Sequence, residues 1–93
     1  MKIRLTPKCE RDLKKLKKKH FNLVLFQTVV EHIVNNDSDI LHRVYRDHAL
    51  QGNWQGFREC HIESDWLLIY RINKENSLCE LVLTRTGSHD ELF

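Results

Sequence analysis

The sequence has no apolar stretch near the roughly 18 uninterrupted residues that a membrane span needs. Its longest runs, such as Trp66 to Tyr70, are only strand-sized. Nor does the opening Met1-Lys2-Ile3-Arg4-Leu5 contain the apolar core of a secretory signal, so no membrane partner and no export are expected. Cysteine is scarce: Cys9, Cys60 and Cys79 are an odd number, and none sits in a Cys-x-x-Cys pair. That excludes a disulfide framework and fits three small, half-buried thiols in a reducing cytoplasm. There is no internal repeat, no linker and no low-complexity segment apart from one lysine run, so residues 1–93 are expected to form a single domain. A chain this short buries roughly 60–65 % of its unfolded surface, so the core is modest.

What is present is a globular composition, 41 % apolar and 30 % charged, which argues against disorder. The net charge of +2 conceals a strong asymmetry. Nine of the fifteen lysines and arginines fall within the first 22 residues, against only Glu10 and Asp12 of the thirteen acids. The densest block is Lys14-Lys15-Leu16-Lys17-Lys18-Lys19. A solvated helix face explains such a block as well as a sequence-independent contact to nucleic-acid phosphates does.

Residues 2–5 alternate apolar and basic side chains, as a short half-buried strand does. Thr6-Pro7 then supplies a hydroxyl N-cap and a proline for the first helical position. A helix is predicted over 7–19 with a narrow apolar stripe, Cys9, Leu13 and Leu16. His20-Phe21-Asn22 interrupts it, and Asn22 can cap a second helix. There Leu23, Phe26, Val29, Val30, Ile33 and Val34 fall at three- and four-residue spacings, a wide buried face. Asn35 to Ser38 stops that helix, and residues 39–56 show no sustained period, which predicts a long irregular loop. The last third is strand-rich: 57–63, 66–72 and 78–85 alternate or run apolar, with short polar links at Ser64-Asp65 and 73–76. Thr86-Gly87-Ser88 turns out of the last strand, and 89–93 can make one helical turn. The expected class is α+β: an N-terminal strand and a helical hairpin packed on one face of a mostly antiparallel sheet that ends in a three-strand meander.

Histidines stand out among polar residues near turns. His48 sits in the long loop, His61 near the end of a strand with Asp65 at the following turn, and His89 just after the last strand. Alternation places Phe57, Glu59, His61 and Glu63 on one face of their strand. By residue type His48, His61, Asp65 and His89 are acceptable zinc ligands, but the usual ligand spacings are missing. His20, His32 and His42 read as surface or boundary residues, Trp54 as a loop anchor, and Tyr45 and Tyr70 as packing residues with a hydroxyl at the rim.

The stretch from Tyr45 through Asp47-His48-Ala49-Leu50-Gln51-Gly52-Asn53-Trp54-Gln55-Gly56-Phe57-Arg58 to His61 and Asp65-Trp66-Leu67-Leu68-Ile69-Tyr70 resembles the signature of YafQ-type toxins of the RelE/ParE superfamily. The close, Arg85-Thr86-Gly87-Ser88-His89-Asp90-Glu91-Leu92-Phe93, is similar to the same family's ending. With the basic first helix, the resemblance covers nearly the whole chain. It implies a RelE-like fold and a toxin of a type II toxin–antitoxin pair: a ribosome-dependent endoribonuclease that cuts mRNA in the A site of the 70S ribosome. It assigns His89, His61, His48 and Asp65 to catalysis, and Arg85, Phe93 and Trp66 to substrate binding. It implies no metal and no cofactor. The implied partners are the ribosome and a co-encoded antitoxin, with operator DNA reached only through the antitoxin complex. The chemistry is consistent with those residue types: attack of a 2′-hydroxyl on its own phosphorus needs a base, an acid and a cation near the phosphorane. Histidine serves in either proton role near neutral pH. Alternatives on the same fold are a non-cleaving ParE-like or RNA-binding module, or a metal site.

Overall fold

The computed structural model describes residues 1–75 and 77–93. Strand β1 (Lys2–Leu5) ends where Thr6 changes roles. The Thr6 N–H completes the ladder to the Leu83 carbonyl, while its Oγ1 accepts the Cys9 N–H and so opens helix α1 (Pro7–Lys18). Cys9, Asp12 and Leu16 form the buried stripe of α1, leaving its lysines exposed. A left-handed His20 (φ 64°) breaks the helix, and Asn22 caps α2 (Leu23–Val34) by accepting the Val24 N–H. Phe26, Val29, Val30 and Ile33 are buried on α2, the face that the spacing predicts.

The expected irregular loop over 39–56 is instead partly ordered. It holds α3 (Ser38–Arg43), a two-residue strand β2 (His48–Ala49) and a single 3-10 turn (Gly52–Trp54). Each is too short to print a period: α3 buries Leu41 alone, and β2 exists only through its pairing with the next strand. The remaining strands are β3 (Arg58–Glu63), β4 (Trp66–Glu75) and β5 (Leu78–Gly87), followed by α4 (His89–Leu92). β4 and β5 run further than the sequence predicts. Residues 73–75 and 86–87 belong to strands rather than to links, because pairing between β4 and β5 continues there regardless of polarity. The rest of the expected 73–76 link, Asn76, lies outside the described residues.

The sheet order is β1-β5-β4-β3-β2, with β1 parallel to β5 and the other pairs antiparallel. One face carries the main core: Cys9, Leu16, Phe26, Val29 and Ile33 of the helices meet Cys60, Trp66, Leu68, Tyr70, Leu81 and Leu83 of the sheet. The helices α1 and α2 supply this layer from one face, as expected of the helical hairpin. The opposite face is smaller and only partly covered: Leu67 and Ile69 lie beneath Leu50, Trp54, Phe57 and Leu92. β4 is therefore buried on both faces, which explains its near-continuous apolar run. Among the described residues no helix is long and apolar enough to cross a membrane.

Candidate active site

Cross-strand register assembles a polar cluster on the second face. His48 of β2 lies opposite Glu59 of β3, Glu59 opposite Ile69 of β4, and Ile69 opposite Arg85 of β5. The next row on the same face pairs His61 with Leu67 and Leu67 with Gly87, after which Ser88 starts α4. The Ser88 hydroxyl accepts the Glu91 N–H, and the Glu91 carboxylate accepts the Ser88 N–H, which fixes the direction of α4. His89, its first residue, is thereby delivered beside His61, with ring centroids 5.8 Å apart. His48 and His61 stand 6.4 Å apart. The three histidines expected to act together do lie together.

Asp65, at the β3–β4 turn, accepts two hydrogen bonds from His89: from its backbone N–H at 3.1 Å and from Nδ1 at 3.0 Å. The backbone bond first, and the ring second, hold the Asp65 carboxyl below its ordinary range. An ionised carboxylate only accepts, so His89 carries a proton on Nδ1 and turns Nε2 to the cluster. His48 is held similarly, its Nδ1 2.9 Å from the Arg46 carbonyl. Arg46 adopts a left-handed backbone (φ 52°), which aims that carbonyl back at the ring. The loop itself is tied down by Asp47, a buried carboxylate that accepts from Arg58 Nη2 at 2.6 Å and from the Tyr70 hydroxyl. Tyr70 is accordingly a buried donor and not a hydroxyl at the rim; burial, then the Asp47 bond, pushes its phenol up.

Glu59 is the residue that the sequence reading placed on the correct face but left out of the site. It is only 4 % exposed, and its Oε1 lies 3.5 Å from His61 Nε2 and 3.6 Å from His48 Nε2. Phe93 is exposed beside the cluster, its ring centroid 6.4 Å from that of His89 and 6.0 Å from that of Trp54. Trp54 packs edge-on against Phe57 and anchors its loop, as expected.

Two expected substrate-binding residues have partners within the protein. Trp66 is 1 % exposed, packs edge-on with Phe21, and donates its indole N–H to Thr86 Oγ1 at 2.9 Å. It is a core residue beneath the site, because it points to the helical face while its neighbour Leu67 points to the other. Arg85 shares the row of Glu59, but its guanidinium is engaged: Nε and Nη2 donate to the Asp12 carboxylate at 2.8 and 3.1 Å. Lys8, Arg11 and Lys15 of α1 line the same hollow of about 230 Å³. The basic helix thus runs to the edge of the site, and the adjoining hollow reaches Trp54. A larger hollow of about 510 Å³ lies under Asp65, between Phe21, Lys19 and Glu91.

Glu59, His61 and His89 each offer a ligand atom, all within 4.8 Å of one another, so these three could hold a divalent cation. This differs from the set weighed by residue type: the Nδ1 of His89 is already occupied by Asp65, and His48 stands outside the trio.

Residues 1–93 match the family model described as bacterial toxin of type II toxin–antitoxin system, YafQ. The mRNA interferase toxin YafQ of Escherichia coli K12 is 37 % identical over 83 residues, covering 89 % of this chain and 85 % of the relative. The crystal structure of the E. coli DinJ–YafQ toxin–antitoxin complex superposes with a TM-score of 0.83 at 35 % identity, covering 98 % of this chain and 94 % of the other. A metal-bound toxin from Helicobacter pylori superposes with a TM-score of 0.86 at 41 % identity, covering 100 % and 99 %. The architecture is RelE-like, and the chain belongs to the YafQ family of bacterial type II toxin–antitoxin toxins.

Proposed function

We propose that this chain is a cytoplasmic endoribonuclease that cuts messenger RNA on the ribosome by metal-independent histidine chemistry, held in check by a co-encoded antitoxin that also carries the pair to operator DNA. One observation carries this reading: three imidazoles and two carboxylates from four separate segments converge on one open sheet face, beside an exposed aromatic ring and a basic helix.

An open face suits a substrate delivered by a larger body. The exposed lysines of α1 supply the phosphate contacts that ribosomal RNA offers, a salt-sensitive and sequence-independent attraction. Phe93 offers a platform for a base. The message backbone then crosses the imidazoles. His48, with Nδ1–H tied to a carbonyl, presents Nε2 as the base for the 2′-hydroxyl. His89, braced by Asp65 through Nδ1–H and entering the step as imidazolium, delivers its Nε2 proton to the departing 5′-oxygen. The remaining N–H donors of Arg85 and its basic neighbours face the phosphorane charge. The products are a 2′,3′-cyclic phosphate, or the 3′-phosphate to which it opens, and a 5′-hydroxyl.

The test is cleavage of a defined message on purified 70S ribosomes, with 5′ ends mapped. Wild type that has been treated with chelator and desalted before mixing yields discrete A-site cuts, and His89→Ala yields none while keeping its melting temperature and antitoxin binding. Wild type that leaves the message whole, or His89→Ala that cuts as well, refutes the nuclease. Cuts lost when the toxin alone is stripped beforehand, and restored by adding zinc or copper, transfer the chemistry to a metal at Glu59, His61 and His89.

A further inference from the structure

We propose that Glu59 is a positioning residue that receives the Nε2 proton of His61, faces the opposite tautomer that Arg46 imposes on His48, and serves as the shared counter-charge while the base holds the substrate's proton. This rests on the nuclease reading above and goes beyond it, since it decides what each nitrogen of the pair does.

The argument is one of donors and acceptors. A carboxylate with only 6 % of its side chain exposed needs hydrogen-bond or charge partners, and the same oxygen of Glu59 faces two imidazole nitrogens at 3.5 and 3.6 Å. For His61 the other nitrogen, Nδ1, is buried with no hydrogen-bond partner. A proton there would be a buried donor without an acceptor, the costlier kind of orphan, whereas a bare lone pair is tolerated better. The proton of His61 therefore sits on Nε2, pointing at Glu59. For His48 the constraint runs the other way. The Arg46 carbonyl only accepts, so Nδ1 bears the proton and Nε2 is left with its lone pair.

The oxygen of Glu59 thus stands between one N–H and one lone pair. Facing the lone pair is unfavourable until His48 Nε2 acquires a proton, and at that moment the contact becomes an ion pair. The step is balanced. The 2′-O–H bond breaks with its proton passing to His48 Nε2, the 2′-oxygen bonds to phosphorus, the bond to the 5′-oxygen breaks, and that oxygen takes the Nε2 proton of a His89 imidazolium, which ends neutral with Nδ1–H still on Asp65. Register makes the device possible: Glu59 is the cross-strand partner of His48 and is two residues from His61 on one face, so one side chain reaches both rings.

Two variants and two measurements test this, all on metal-stripped full-length protein at one fixed pH. Long-range proton–nitrogen NMR assigns the tautomers: wild type should show His61 as Nε2–H and His48 as Nδ1–H. Glu59→Ala should leave His48 unchanged, because Arg46 still holds it, and shift the resonance of the His61 Nε2–H, which loses its carboxylate while Nδ1 still has no acceptor. Glu59→Gln keeps the shape and an acceptor but loses the charge; its kcat on ribosome-bound message should fall by about tenfold to a hundredfold with KM unchanged. Wild-type His61 protonated on Nδ1, an unaltered His61 in Glu59→Ala, or Glu59→Gln cutting at the wild-type kcat each overturns the proposal. If Glu59→Ala does not fold, the wild-type tautomers and the isosteric variant decide alone. If wild-type protein cuts nothing, the nuclease reading falls, and the His61 resonances still settle whether Glu59 holds that ring.

Discussion

Replacing Asp12 by alanine should be among the most damaging single changes outside the apolar core. β1 ends opposite Leu83, and Thr6 covers the next carbonyl, at Thr84, through its hydroxyl. Beyond that point β5 has no strand on that side, and Asp12 of α1 takes its place. Its Oδ2 accepts the buried Thr86 N–H at 3.1 Å and Arg85 Nε at 2.8 Å, and Oδ1 accepts Arg85 Nη2 at 3.1 Å. Losing the acceptor for a buried N–H costs about 1–3 kcal/mol. Breaking a fully buried ion pair costs about 3–5 kcal/mol. The Arg85 side chain keeps 23 % of its exposure and can turn toward water, which discounts the second figure heavily. Together Asp12→Ala should cost about 2–4 kcal/mol. At about 4–8 °C per kcal/mol for a domain of this size, the midpoint should drop by about 8–32 °C. Asp12→Asn retains an acceptor for Thr86 and should lose about half as much. Thermal and urea unfolding followed by circular dichroism measures both, and a double-mutant cycle with Arg85→Leu isolates the pair. If Asp12→Ala melts within about 3 °C of wild type, on the same scale, α1 is not locked to β5 by this carboxylate.

Trp66→Phe should lower stability by about 1–2 kcal/mol through the lost bond to Thr86 and the smaller ring, with KM for the message unchanged. A tenfold rise in KM at unchanged stability would return Trp66 to the substrate. Native protein treated with a thiol reagent should label first at Cys79, which is half-buried; Cys9 and Cys60 are fully buried, and burial followed by the Asp12 charge pushes the Cys9 thiol up to about 12. Equal labelling of all three in the folded state contradicts this. Asp65 and Glu91 both have depressed carboxyl values, owed first to the backbone N–H groups of His89 and Ser88 respectively. Their contribution is therefore complete above the ordinary carboxylate range near ~4 and is lost as pH falls through the lower folded values. Hydrogen exchange across 89–92 should quicken as pH is taken from 5 toward 2, after correction for intrinsic rates, and α4 loosening as pH rises toward 7 instead would reverse the sign.

The elements legible in the sequence are those whose cause is local. Thr6-Pro7 and Asn22 cap helices because a side-chain oxygen reaches an N–H two or three residues ahead. The face of α2 follows from spacing alone. His48, His61, Asp65 and His89 were found through the resemblance of their surroundings, and the fold then brought them together. Glu59, Asp12 and Asp47 escaped for a common reason. Each is a charge whose partner is chosen by topology: His48 across a two-residue strand that leaves no periodic trace, Arg85 at the other end of the chain, Tyr70 two strands away. Alternation told which face Glu59 occupies but not that β2 would lie beside it, and an acid on a strand reads as solvated until something covers it. Trp66 failed in the opposite sense. It stands within a motif of polar site residues, yet strand geometry sends it to the far side of the sheet from the histidines. Motif proximity therefore locates a site along the chain, whereas membership in it is decided by the parity of each residue on its strand and by the segment that comes to lie over it.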